Sequence, residues 1–363
     1  MKQTALNPVH SQRAVKMIEF QGWQLPTSFS DPTDEYHAAR NAAGLFDVGF
    51  LGRIEVTGAG SEALLQPLFT RNIAPLTEGS VKYGLLCSES GRIMDNVMVF
   101  KLPPGRSGKR FLINTNAAST DKVLAWFTDH AGKDVQVTDI SETFTQLALQ
   151  GPKADAVLEA LAGEQVKKIK QKHAKTITLA GTQVLVSRTG FTGERGYELI
   201  LPAGQAAVVW NGCLDAGKAF GLLPCGLTCR DMLRLEAGYV MYGSDIDENR
   251  TPVESGLMSL VNMKLDFIGK EAIRKRLAEG AKEKLIGFVL QDAGLPKPGA
   301  PVFSESREIG VATSAVHSPH RRKDIGFGYV LTRYAQPGQE IEIEVKDKEI
   351  AAKIVELPFY KRK

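Results

Sequence analysis

Residues 226–256, GLTCRDMLRLEAGYVMYGSDIDENRTPVESG, break the usual segregation of polar and apolar positions. Arg230, Asp231, Arg234 and Glu236 stand among Leu227, Met232, Leu233 and Leu235. An i, i+4 spacing puts Arg230 and Arg234 on one face of a predicted helix, and the apolar residues spread around the rest. A helix that apolar is largely buried, so its charges are paired or aimed at a ligand. Leaving one partner of a buried ion pair alone costs roughly 3–5 kcal/mol. At this level an internal ion network that orients the helix and a ligand-facing cation both stand.

Elsewhere the pattern is mixed, with short strands, helices and many Gly-containing turns. Arg53–Thr57, Ile93–Phe100, Arg110–Asn114 and Thr182–Ser187 alternate or cluster apolar residues at strand length. Ser61–Leu68, Ser119–His130 and Pro152–Leu161 read as helices, the second opening on a Ser/Thr cap with Asp121 in its first turn. Beyond a Pro/Gly break at 294–299 and a boundary near residue 280, the tail reads as five or six short strands without a helix. It predicts a small barrel or sandwich.

At 363 residues, length alone suggests two or three domains. An apolar content of 43% with 24% charged residues is that of a globular protein, and no apolar run reaches the length of a spanning helix. The amino terminus has no hydrophobic core segment, which speaks against a secretory signal. Four cysteines (Cys87, Cys213, Cys225, Cys229) give no disulfide framework and fit a reducing cytoplasm. Cys225 and Cys229 read as core thiols, because no second pair or nearby histidine completes a metal site. His317 and His320 flank a Ser-Pro turn, lack further ligands and are read as structural too. The net charge of +4 is unevenly placed, with basic runs at 270–284, 320–323 and 360–363. The first reads as a solvated helix face; together they suit an acidic partner or a polyanionic tail. Nucleic acid is disfavoured, since no aromatic–basic interleaving is present.

The Gly-rich stretch 188–201, RTGFTGERGYELIL, joins two strands and lacks the following helix and Lys-Ser/Thr pair of a phosphate loop. Glu198 falls among Tyr197, Leu199 and Ile200, so its carboxylate either meets water or enters a pocket. In a pocket it can accept two parallel N–H bonds from a flat amidine-like group, the edge of a guanine or pterin.

Together these stretches resemble the aminomethyltransferase (T-protein) family of the glycine cleavage system. The resemblance runs in order along nearly the whole chain: Gly22–Pro26, Gly44–Val48, Ala148–Pro152, Ser187–Glu194, Gly226–Gly238, Tyr242–Glu248, Phe267–Gly269, Thr313-Ser314, Ser318-Pro319 and Pro358–Tyr360. It implies an α+β, three-domain cloverleaf around a channel. Residues 1–50 with 141–243 would form a discontinuous antiparallel-sheet domain that binds folate. Residues 51–140 would form a ferredoxin-like domain, 244–280 a connecting segment and 281–363 a C-terminal β-barrel. It further implies a monomer, without metal, nucleic acid or membrane contact, that moves an aminomethyl group from the lipoyl arm of an acidic H-protein to tetrahydrofolate, releasing ammonia. By the same resemblance Glu198 grips the pterin and Arg230 contacts the folate. Tyr83, Asn116, Phe191, Leu51 and the basic Arg362 fall at or near ligand-lining positions. Arg234, Asp231 and Glu236 are assigned to the ion network of the helix.

Two departures fall at the chemistry. Asp95-Asn96-Val97 stands where the family reads Asp-Asp-Leu, so the acid that organises folate N5 is Asn96 here. Losing a positioned acid/base typically costs about 10²–10⁴-fold in rate. Asp95 is the one candidate substitute, but strand neighbours point to opposite faces. Gly49-Phe50-Leu51 replaces a Ser-His-Met, which suggests an altered mouth and a different donor; Phe191 replaces a tyrosine. The competing reading is a folate-binding or sensing protein without catalysis. The iron–sulfur-assembly branch of the fold is disfavoured because its Lys-Gly-Cys signature is absent.

Overall fold

The computed structural model describes residues 1–14 and 16–362. The chain divides into two compact units: Met1–Gln66 with Ile73–Gly84 and Val97–Arg230, and Pro67–Asn72 with Leu85–Asn96 and Asp231–Lys363.

In the first unit a six-stranded sheet runs in the order Ala174–Leu179, Thr182–Ser187, Gly196–Pro202, Phe144–Gln150, Ala43–Asp47, Leu222–Cys225. All its pairings are antiparallel except the last. Alternation splits its two faces. Leu147, Leu149, Tyr197 and Leu199 point to one side, against Val157 and Leu158 of helix Ala154–Ala162 and Val209 and Trp210 of helix Ala206–Gly217. Gln146, Glu198 and Ile200 occupy the alternate positions. Ile200 packs with Leu185, Val81, Phe100 and Leu112, so this second face is apolar at one end and polar at the other. The N-terminal strands Lys2–Gln3, Trp23–Ser28 and Lys16–Phe20 form a separate three-stranded sheet that the hydrophobic pattern does not announce.

The strands and helices expected from 53–57, 61–68, 93–100, 110–114, 119–130, 152–161 and 182–187 all form, with ends shifted by up to five residues. One detail differs. Ser119 occupies the cap position of helix Thr120–Asp129, but its hydroxyl makes no capping bond; it donates to Asn116 O at 3.0 Å.

The second unit holds the tail, a closed six-stranded barrel ordered Glu283–Leu290, Lys323–Leu331, Arg307–Ser318, Pro301–Ser304, Glu340–Val345, Lys348–Val355. Phe288, Val302, Val330, Ile343 and Ile354 fill it. Strand Arg307–Ser318 carries a bulge between Ala312 and Ser314, and Thr313 is the extra residue. The resulting α+β architecture agrees with the expected class. Among the described residues, no helix is long and apolar enough to cross a membrane.

Candidate functional site

Glu198 sits mid-strand on the polar end of the second sheet face and is 4% exposed. Its neighbours in the ladder, Ala148 and Ser187, belong to the two flanking strands. Gln146 Nε2 donates to Glu198 Oε1 at 3.1 Å, and the Thr189 hydroxyl donates to Oε2. Asn114 Nδ2 in turn donates to Gln146 Oε1 at 2.6 Å. The direction of this chain is forced when Glu198 is ionised: a carboxylate only accepts, so Gln146 must donate and Asn114 must donate to Gln146. Asn114 Oδ1 is then left as a buried acceptor without a hydrogen-bond partner among the described residues. Such an orphan is an incentive for a ligand or water donor.

Arg230 completes the group. Its guanidinium lies over the Phe191 ring at 4.6 Å from the centroid and is partly exposed. Burial raises the Glu198 carboxyl above its ordinary range, while the Thr189 hydroxyl, the Arg230 charge and the Gln146 amide pull it back. The expected convergence of Glu198, Arg230 and Phe191 therefore occurs. Sequence reasoning missed Gln146 and Asn114.

Arg40 underpins the Gly-rich turn that presents Phe191. Its Nη1 donates to Thr192 O at 2.7 Å and to Glu194 Oε1 at 3.0 Å, both partners nearly buried. Glu35 fixes the start of helix Leu227–Glu236, which carries Arg230. Its carboxylate accepts the N–H groups of Phe29, Ser30 and Gly226 at 2.5, 2.9 and 2.8 Å. Cys225 and Cys229 lie beside it, with donor atoms of all three within 4.8 Å. The carboxylate is already committed to three backbone donors. Burial, then Cys229 and Glu35, push the Cys225 thiol far up and keep it neutral.

One helical turn on, Arg234 is 1% exposed and makes four hydrogen bonds. Nε donates to Asp231 Oδ1 at 2.6 Å, Nη1 to Asp245 Oδ2 and to Tyr239 O at 3.1 Å, and Nη2 to Ser314 Oγ at 3.0 Å. Burial alone would depress its pKa; Asp245 and Asp231 outweigh that and hold it above the ordinary range. Glu236, on the same helix, accepts from Ser318 Oγ at 2.5 Å, and Asp245 is the partner of Arg234 that the sequence did not reveal.

The remaining candidates are placed as follows. Tyr83, Asn116 and Leu51 lie in the first unit and are half-buried; Asn116 O takes the N–H of Ser119 at 3.1 Å. Asp95, Asn96 and Arg362 belong to the second unit. Asp95 is 0% exposed, and its Oδ1 accepts the backbone N–H of Asn96 at 2.9 Å, which turns the carboxylate back along its own strand. Arg362 is exposed. Phe50, expected to wall an open mouth, is only 5% exposed and packs edge-on to Phe20 at 6.0 Å. The glycine beside it has a cause: a Cβ at Gly49 would lie 2.4 Å from Thr145 Oγ1, so serine does not fit opposite Thr145. Arg53 Nη2 ties this loop by donating to Gly49 O at 3.0 Å and Ser141 O at 2.9 Å.

A cavity of about 360 Å³ lined by Glu89 and 266–272 opens in the second unit, where Lys270 pairs with Asp266 at 2.8 Å. Glu271 in its lining pairs with Arg274 at 2.9 Å, and hydrogen-bonding pattern rather than concavity singles out the Glu198 cluster.

Comparison with known proteins gives the same picture over the whole length. The GCVT N-terminal domain family matches residues 6–265, and the glycine cleavage T-protein C-terminal barrel domain family matches 283–361. An aminomethyltransferase of Anoxybacillus flavithermus is 40% identical over 100% of this chain and 99% of its own. That of Bacillus subtilis is 37% identical over the full length of both. The crystal structure of glycine cleavage system aminomethyltransferase T from Bartonella henselae superposes with a TM-score of 0.91 at 29% identity, covering 99% of this chain and 98% of that one.

Proposed function

The chain belongs to the aminomethyltransferase (glycine cleavage T-protein) family of enzymes, and from that premise we propose that it passes a one-carbon unit from a lipoyl-bound aminomethyl group to tetrahydrofolate, releasing ammonia. The observation that carries this reading is the convergence of Glu198, Arg230 and Phe191 beside the unpaired acceptor of Asn114. These residues fit a flat ring with several N–H donors along one edge and an anionic tail. When bound, the reduced folate supplies the nucleophilic nitrogen. Glu198 holds the donor edge, Gln146 and Thr189 aim its carboxylate and oppose the rise that burial imposes on it, and Arg230 supplies positive charge. In this reading Tyr83, Asn116 and Leu51, from the expected ferredoxin-like segment 51–140, line the folate beside the discontinuous domain 1–50 with 141–243, and Arg362 is a basic position of the expected C-terminal barrel. Asn96 stands at the position of the organising acid and accepts through its carbonyl without taking a proton.

Tetrahydrofolate should raise the melting temperature by the linkage relation RT ln(1 + [L]/Kd); no shift at saturation refutes folate binding. Turnover with an aminomethyl-loaded lipoyl carrier then separates an enzyme from a silent binder. Asn96→Asp should raise that turnover by about 10²–10⁴-fold, and an unchanged rate removes Asn96 from the chemistry. The second reading, a folate-binding protein without transfer, or a transferase with another donor, is favoured by the loss of the acid at Asn96 and the inward turn of Asp95.

A further inference from the structure

One buried charge of the first unit has no part in the site as described so far. Arg53, the second residue of strand Gly52–Thr57, is 0% exposed. Its Nη2 donates to Gly49 O at 3.0 Å and Ser141 O at 2.9 Å, and its backbone N–H donates to Ser141 Oγ at 2.9 Å. Nε and Nη1 are buried donors without a hydrogen-bond partner among the described residues. Burial pulls the guanidinium down to about 10, against the opposing effect of Asp139 and Asp47, so it is still charged at neutral pH. Those acids serve other donors. Asp47 accepts from Gly49 N and Thr4 Oγ1 and has His10 Nε2 at 2.9 Å, and Asp139 accepts the N–H and the hydroxyl of Ser141. A charge held inside a protein is destabilising unless its N–H groups are answered.

The matching acceptor stands on the neighbouring strand. Arg53 is paired with Asn114 in the antiparallel ladder between Gly52–Thr57 and Gly108–Thr115. Residues opposed in this way share a sheet face, with Cβ atoms about 5 Å apart. Asn114 Oδ1 is the buried acceptor left over in the Glu198 chain. Two donors and one acceptor are therefore unanswered on a single rung. No direct bond joins them, and one internal water between them would serve both sides, as buried waters do. The cation also sets the sense of the amide, because the oxygen end of its dipole is drawn to positive charge. Nδ2 is then turned to Gln146 Oε1, at 2.6 Å, and Gln146 Nε2 to Glu198 Oε1, at 3.1 Å. An amide oxygen has two lone pairs, so this use leaves one for a ligand.

We propose that Arg53 is a positioning residue for folate binding, a proposal that rests on the folate reading above. It acts through Asn114 and Gln146 on the Glu198 carboxylate, without touching the ligand itself. With the Asn114 amide reversed, its oxygen would meet the oxygen of Gln146. Gln146 would then have to turn and offer an acceptor to a carboxylate that only accepts. One buried charge thus fixes the direction of each bond along Asn114, Gln146 and Glu198. The same guanidinium holds Gly49 O and Ser141 O, so it ties the segment leading to Leu51 to that chain.

The test uses the full chain and tetrahydrofolate kept reduced under argon, with affinity measured by calorimetry across pH. R53Q is uncharged but can still donate to one of the two carbonyls, and it should weaken binding about tenfold. R53K keeps the charge on the rung and should recover most of that loss. A role confined to stability would move Tm and leave three further readouts alone. The acid limb of the affinity profile should begin at a higher pH in R53Q, because a carboxylate held less firmly by Gln146 protonates more readily. N114L should weaken binding by itself, and adding R53Q to it should weaken binding no further. In the ligand-free protein the Asn114 side-chain amide signal, identified in NMR spectra by its loss in N114L, should shift in R53Q. Wild-type affinity with an unmoved acid limb in R53Q overturns the proposal, as does full additivity of the R53Q and N114L losses. If R53Q does not unfold cooperatively, R53M, which fills similar space without polar atoms, takes its place in every comparison. The two claims separate. Wild type that binds no tetrahydrofolate sinks the folate reading, and the Asn114 signal still decides the link to Arg53; tight binding that R53Q leaves intact sinks the positioning role alone.

Discussion

Arg230 and Arg234 stand one helical turn apart, yet they serve opposite kinds of polar network. Around Arg234 the donors and acceptors answer one another: Asp231, Asp245, Tyr239 O and Ser314 take its N–H groups, and Asp245 also takes Thr313, Ser314 and the N–H of Met241. Around Glu198 the network is open. One buried acceptor is left over on Asn114, burial works against the carboxylate's charge, and the facing guanidinium is partly exposed. A closed network holds a fold together, whereas an open one is finished by something else. The same helix therefore separates architecture from recognition within a few residues.

Breaking the closed side should have the largest effect. Arg234→Ala strands Asp245 among its acceptor-seeking neighbours and should cost about 3–5 kcal/mol of unfolding free energy, read by denaturant titration; a loss under about 1 kcal/mol would deny the network its structural role. On the open side the sign differs. Glu198→Gln should weaken tetrahydrofolate binding by about 1.5–3 kcal/mol, the worth of a hydrogen bond to a charged group, as calorimetry would show. Unaltered affinity would mean that its carboxylate grips no ligand.

The ligand-free protein sharpens the contrast through pH. The Glu198 carboxyl is raised in the folded state, so over the range just above the ordinary glutamate pKa of 4.5 the native chain holds a proton the unfolded chain has lost. Stability from this group is present below that range and declines as pH rises through the folded-state pKa. Glu198→Gln should remove this decline, seen as a flatter Tm-versus-pH curve than that of wild type; identical slopes would contradict it. The smallest change is Thr189→Val. It removes one donor to Glu198 and should weaken folate binding by about 0.5–1.5 kcal/mol, more at low pH than at high, because the carboxyl then protonates more readily.

Local elements were legible because their signals are local. The helices at 61–68 and 120–129 follow apolar periodicity, and the barrel strands alternate plainly. Strand Pro301–Ser304 escaped because four residues of PVFS carry no period, and the N-terminal sheet because its strands are short and half-exposed. Glu198 was identifiable as a strand glutamate, but not its supports. Gln146 and Gln150 alternate with Leu147 and Leu149 in FTQLALQ, a polar face on an otherwise apolar strand, and that pattern could have revealed Gln146. Asn114, on strand Gly108–Thr115, had no such signal. Asp245 was out of reach for a similar reason: it comes from a loop eleven residues on, and only the fold brings it to Arg234. Phe50 could not be placed from sequence, because chemistry at a mouth cannot be told from packing until Phe20 is seen beside it.

The irregularity in barrel strand Arg307–Ser318 governs more than local shape. Side chains in a regular ladder point alternately up and down, yet both Thr313 and Ser314 reach Asp245, at 2.8 and 2.6 Å. One supernumerary residue thus turns a staggered pair of hydroxyls into a two-toothed clasp. A shortened strand, engineered by deleting Thr313, would restore perfect pairing and leave a single tooth. Swapping in a regular barrel from an unrelated protein would fail at this spot for the same reason, however well its interior packed.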